Sequence, residues 1–387
     1  MRVPRLPGFD PRRPVEVAGG LMLANLGDLA NILILSYFLE ALVSRPEALA
    51  LLPSLAALRG AIATSMASRV STALHLGVLQ ASTREILEAE GLNVLALALA
   101  ASVYAGLLVS ALTGGGVWAE VAIAALSALM AVFILAPATA WIAAAGYRRG
   151  VDPDSVMAPI LTILGDLTTV PTLLASALIV SMAAGSVGLM ALALAYFAAS
   201  LVLAVARGGG RRARRIVSES MLSILVVGAL EAGTGAFLVS YTPILMSVGV
   251  LHAIPSIMED TGAAASVLAS KVSTLLHLEG PGGAARVLPA KTLETLAGSA
   301  PAMAVLAAIA SATAPVAGLS LPLEAAFRIV FLGGLILIVL YSALASMIAF
   351  ASHRLGLDPD NTVIPILTAV VDLATIPLIA LLAPALL

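Results

Sequence analysis

Long apolar runs fill this chain, and polar residues enter them singly at wide intervals. Taking Pro, Gly and charged clusters as punctuation, the pattern predicts helices at 17–42, 49–75, 92–112, 117–146, 156–182, 187–206, 219–248, 252–278, 295–318, 322–351 and 362–386, eleven in all. Each is about long enough to cross a bilayer, which takes roughly 20 apolar residues. Several exceed a perpendicular crossing, so tilt or local breaks are expected. The stretch LLPSLAALRGAIATSMASRVSTALHLG, 51–77, carries Pro53, Arg59, Gly60 and many hydroxyls, and reads as the lining of a polar interior. Irregular backbone at membrane depth survives only against protein or water.

Composition makes the membrane reading hard to avoid. The chain has 387 residues, 60% hydrophobic and 11% charged, with a mean hydropathy of +1.07. A soluble domain carries roughly 25% charged residues, so too few charges are present here to cover the outside of a soluble fold. The basic start leads into an apolar helix without a small-residue cleavage site, unlike a secretory leader. Absence of cysteine excludes disulfides and thiolate metal sites. A net charge of −2 does not suggest a nucleic-acid partner.

Lys and Arg set an expected direction. Arg12, Arg13, Arg84, Arg148, Arg149, the cluster RGGGRRARR at 207–215, Arg286, Lys291 and Arg354 fall on one side, while Arg45 and Arg328 fall on the other. The basic side faces the cytoplasm by the positive-inside rule, which puts the N-terminus inside and the C-terminus outside a cell membrane. The basic cluster reads as a topology-fixing loop rather than as a lipid or nucleic-acid patch.

The chain repeats itself. PILTILGDLTTVP at 159–171 returns as PILTAVVDLATIP at 365–377, and LLPSLAALRGAIATSMASRVSTALHLG returns within HAIPSIMEDTGAAASVLASKVSTLLHLEG at 252–280. Pro53 pairs with Pro255, Gly60 with Gly262, Arg69 with Lys271 and His75 with His277; DPDSV at 152–156 pairs with DPDNT at 358–362. The expected organisation is therefore an all-α polytopic membrane protein with a cytosolic arm at 1–14, membrane repeat 1 at 15–182, a linking helix and basic loop at 183–217, and membrane repeat 2 at 218–387. A five-helix unit starts and ends on opposite faces, so one added crossing makes the two copies parallel about a pseudo-twofold axis along the membrane normal.

Each copy carries one acid deep in an apolar helix, Asp166 and Asp372. Such a residue costs roughly 2.5–3.5 kcal/mol on insertion scales and faces a cavity or a partner. Parallel copies place the two at equal depth, and we read them as one cation site. The surroundings are oxygen donors, with Thr162 and Thr368 one helical turn before the acids. Mg2+ keeps several waters and takes one or two carboxylates. The competing readings are salt bridges to Arg59, Arg69 or Lys271, and protonated carboxyls hydrogen-bonded to nearby threonines.

The remaining polar residues have lesser expected roles. Asp28 and Glu231, with Glu16 and Glu219 at the starts of the same helices, form a secondary, more cytosolic cation position, against the alternative of interhelical hydrogen bonds. Glu259 and Asp260 occur in the second copy alone, where the first has Ala57 and Leu58, and are expected to gather cations at an outer mouth or to sit solvated at a helix end. Pro53, Pro255, Gly60, Gly262, Arg69 and Lys271 read as structural.

On these stretches the sequence resembles the MgtE magnesium-channel superfamily, and within it the solute carrier family 41 branch, in which two five-helix units are fused. The resemblance implies a channel or transporter for Mg2+, with the aspartate of each half meeting a hydrated ion. It implies no catalysis, and Mg2+ as cargo with no organic cofactor; partners are divalent cations and the lipid bilayer, in a monomer or homodimer. The family's Gly-Asn is Gly60-Ala61 and Gly262-Ala263 here, so an amide ligand is missing from both halves, and the second conserved Arg is Lys271. A cytosolic magnesium-sensing domain like that of the bacterial branch is not expected.

Three other activities compete. One is a sodium- or proton-coupled exchanger of another divalent cation. A second is an intramembrane aspartyl protease, which also needs two aspartates at depth but is marked by Gly-x-Gly-Asp; Asp166 follows Ile163-Leu164-Gly165 and Asp372 follows Ala369-Val370-Val371. A third, transport of an organic solute, calls for aromatic or basic contacts, and aromatics are 4% of the chain.

Overall fold

The computed structural model describes residues 8–149, 153–182, 198, 211–355 and 359–387. Among these residues the chain is all helical, without a strand. The helices are α1 (Arg13–Val43), α2 (Pro46–His75), α3 (Thr83–Thr113), α4 (Val117–Arg148), α5 (Pro153–Met182), α6 (Arg211–Ser247), α7 (Ile254–Thr313), α8 (Leu323–Arg354) and α9 (Pro359–Leu386). Eight of the described helices are long and apolar enough to cross a membrane, and the apolar part of α9, Val370–Leu386, is shorter. The linking helix expected at 187–206 lies outside the described residues.

α7 runs 60 residues, but Gly280 has φ 68° and ψ −179° and breaks it into limbs 254–279 and 281–313. Gly280 supplies a backbone geometry closed to residues with a Cβ, and Pro281 starts the second limb, where its missing N–H costs nothing. The expected start of that limb at 295 is thus late by several helical turns: Pro-Gly-Gly and Pro289 read as loop, yet 281–294 is helix. The α3–α4 turn is built differently. Gly114 caps α3 in the left-handed region (φ 72°), its N–H bonding Ser110 O at 2.9 Å. The buried Glu120 of α4 accepts from Thr113 Oγ1 at 3.2 Å.

The described residues pack into two compact units. One holds α1 to Glu40 together with Ser240–Leu387; the other holds the described residues from Ala41 to Val239. α1 thus packs with the later helices of the chain, and the described part of α6 up to Val239 with α2–α5. In the first unit, Asn25 Nδ2 of α1 donates to Ala302 O at 2.8 Å and the Asp10 N–H to Glu294 Oε1 at 2.8 Å. In the second, Tyr104 Oη of α3 donates to Leu225 O of α6 at 3.1 Å.

α6 lies so close to α2 that a Cβ on Gly235 would sit 1.9 Å from Ala50 O. Backbone cannot yield as a side-chain tip can, so G235A is expected to destabilise by about 1–3 kcal/mol, the cost of overpacking. A thermal melt of the purified protein in detergent should show the loss.

The core of the second unit is made by Leu58, Ile62, Met66, Val70 and Leu74 of α2, Ile86, Val94 and Leu97 of α3, and a run of buried alanines on α4. Those alanines let α3 and α4 approach closely; a Cβ on Gly106 would meet Val121 Cα at 2.8 Å. The α2 stretch expected to line a polar interior thus gives much of its surface to an apolar core.

Candidate cation site

In the second unit Asp166 sits on α5, half-buried. The hydroxyls beyond it are turned to their own backbone: Thr169 Oγ1 donates to Gly165 O at 2.7 Å, Thr168 Oγ1 to Leu164 O at 2.9 Å, and Thr172 Oγ1 to Thr168 O at 2.7 Å. Each of these oxygens keeps lone pairs for a second partner. The side chain of Thr162 lies outside the described residues.

In the first unit Asp372 sits half-buried on α9, and Thr368, one turn earlier, is exposed. Thr375 Oγ1 donates to Val371 O at 2.8 Å and meets Tyr341 Oη of α8 at 2.7 Å. One turn back, Val371 packs where a Cβ on Gly262 of α7 would come within 3.3 Å of it. Tyr341 and Gly262 thereby hold the register of the Asp372 segment.

This unit also brings together two acids that sequence spacing did not pair. The exposed Glu259, three residues before Gly262, lies within electrostatic range of Asp372. Asp260 beside it is buried, and neither of its carboxylate oxygens has a hydrogen-bond partner among the described residues. The expected mouth pair thus splits, with Glu259 outward and Asp260 inward, because adjacent helical residues point about 100° apart.

The cations offered as salt-bridge partners of the two aspartates have other engagements. Arg69 Nε meets Glu90 Oε2 at 3.0 Å, tying α2 to α3. Lys271 Nζ lies 3.8 Å from Glu294 Oε2, tying one limb of α7 to the other, and Lys291 Nζ reaches Glu294 Oε1 at 3.0 Å. Arg59 Nη2 donates to Ser127 Oγ of α4, which meets Thr172 Oγ1 at 3.3 Å. Sequence reasoning did not single out Glu90 or Glu294. Their signal is their place in each repeat, a little over 20 residues after the basic residue each one meets.

Of the expected secondary acids, Asp28 on α1 and Glu231 on α6 are buried. Glu16 is exposed and accepts from Arg13 Nη1 at 2.8 Å; the side chain of Glu219 lies outside the described residues. Pro53 falls inside α2, whereas Pro255 opens α7. Gly60 has open space where a Cβ would point. His75 and His277 each place Nδ1 2.9 Å from the carbonyl four residues back. Among the described residues no group of three or more His, Cys, Asp or Glu could hold a metal ion. What is offered instead is one or two carboxylates among threonine oxygens, suited to an ion that keeps its own water.

Apolar helices of spanning length, with single acids set within them, define an integral membrane protein. The sequence profile of the MgtE family, described as a divalent cation transporter, matches residues 52–176 and 254–382. Having two matched regions that fill more than half its length, the chain belongs to the MgtE family and handles divalent cations. No curated protein and no solved structure matches it significantly.

Proposed function

We propose that the chain passes Mg2+ through a single site to which each repeat contributes one aspartate, Asp166 and Asp372, with Thr162 and Thr368 as supporting oxygens. The observation that carries this reading is that each of the two regions matched by the family contains one of these acids at the same place in a repeated phrase. The half-burial of both side chains and the threonine oxygens along the same helices support it. Glu259 adds negative charge near Asp372, and we read it as drawing cations toward the site. Asp28 and Glu231 form the second, more cytosolic position. The repeats 15–182 and 218–387 run parallel, with the N-terminus in the cytoplasm and the C-terminus outside, working as a monomer or homodimer. Moving two charges through 100 mV is worth about 4.6 kcal/mol, which suffices to drive uptake without a coupling ion.

The test is flux into liposomes containing the purified protein, with Mg2+, Ca2+, Mn2+, Co2+ and Na+ in competition. Wild type is expected to admit Mg2+ under an imposed potential alone, and the double variant D166N/D372N to admit none above background. Entry that needs an imposed Na+ or H+ gradient would replace the channel by an exchanger. Undiminished flux in the double variant would remove the site.

A further inference from the structure

Arg59 is the least explained charge in the second unit. Its side chain is buried, with 6% of its surface exposed, in the apolar core between α2, α3 and α4. Nη2 is satisfied by Ser127 Oγ, but Nε and Nη1 are buried without a hydrogen-bond partner among the described residues. No described carboxylate forms an ion pair with it, whereas Arg69, ten residues on, is paired with Glu90. The corresponding position of the second repeat is Thr261, which carries no charge. An uncompensated buried guanidinium costs several kcal/mol, so a retained one implies a countercharge.

Arg59 borders a small pocket that can hold one. Arg59 and Ser102 line a partly open pocket whose other walls include Met66, Val94 and Leu135. It has room of about 20 Å³ for the centre of a water-sized sphere. A water occupies roughly 10–15 Å³, so a small occupant fits beside the guanidinium. Water would satisfy the N–H groups yet leave the charge uncancelled. A monatomic anion does both, and dry apolar walls favour a weakly hydrated one.

We propose that the first repeat holds a buried chloride, bound by Arg59 Nε and Nη1 with the Ser102 hydroxyl turned toward it. The proposal does not depend on the identity of the transported ion.

Thermal unfolding of the full-length protein in detergent tests it, with sodium chloride replaced by sodium gluconate at constant ionic strength. Chloride is expected to raise the Tm of wild type saturably by about 3 °C or more, as a ligand bound to the folded state does. R59Q should lose that dependence, while S102A, which keeps the guanidinium, should need several-fold more chloride for the same shift. Crystals grown in sodium bromide should show an anomalous peak beside Arg59. An equal chloride response in wild type and R59Q would overturn the proposal. So would an S102A titration superimposed on wild type, if R59Q does not fold, or a bromide crystal with only water at the guanidinium.

Discussion

Replacing Asp372 by Asn is expected to lower Mg2+ entry into liposomes by at least about 100-fold, the upper range for disturbing residues that merely support a metal ligand. Asn keeps the volume of Asp, and Thr375, Tyr341 and Gly262 go on holding α9 in register, so the protein should fold and the loss should report on charge. D166N should lose as much, since the repeat gives its acid the same role. E259Q should cost less, about 10-fold, because a charge that only draws the ion in acts through an attraction that salt screens. Its effect should shrink as salt is raised, whereas that of D372N should not. The same flux in wild type and D372N, with the variant shown folded, would dismiss Asp372 as a ligand. A salt-independent E259Q defect would mean that Glu259 touches the ion.

The largest effect on stability is expected at Glu294. This fully buried carboxylate accepts from Lys291 Nζ at 3.0 Å and from the Asp10 N–H at 2.8 Å, with Lys271 Nζ at 3.8 Å. It therefore fastens three things at once: the two limbs of α7, and the segment entering α1. Removing one partner of a buried pair strands the other, at a cost of about 3–5 kcal/mol. E294A should lower the Tm in detergent sharply, and E90A should do so less, because Glu90 meets Arg69 alone among the described ion pairs. A double variant, K271M/E294M, should recover part of the loss, since apolar residues of similar size remove two of the three charges and Lys291 Nζ keeps its bond to Gly8 O at 2.7 Å. Equal melting of wild type and E294A would deny the cluster a structural role.

Much of the helix layout was legible because bilayer crossing and the 3.6-residue turn leave plain marks. The expected 117–146 and 252–278 lie close to the observed Val117–Arg148 and the first limb of α7. The start at 281 was hidden, since Gly and Pro are ambiguous: they end one helix and also open the next. At the candidate site, the half-burial of Asp166 and Asp372 was foreseeable from single acids in apolar runs. The nearness of Glu259 to Asp372 was not, because it arises from α7 and α9 packing at Gly262 and Val371, more than a hundred residues apart in the chain.

By itself the sequence determined that this is a membrane protein, that it is built twice over, and which family it belongs to. Those properties follow from hydropathy and repeated phrases, which are local and additive along the chain. Tertiary structure alone decided that α1 packs on α7 and α6 on α2 and α3, that Arg69 and Lys271 belong to Glu90 and Glu294, and that Arg59 is buried beside a pocket. Partners of a charge are chosen by which helix faces meet, and in a chain of similar apolar helices many pairings satisfy the same hydrophobic pattern. Close approach at small residues such as Gly235 and Gly106, and the cost of leaving a buried charge unpaired, select among them.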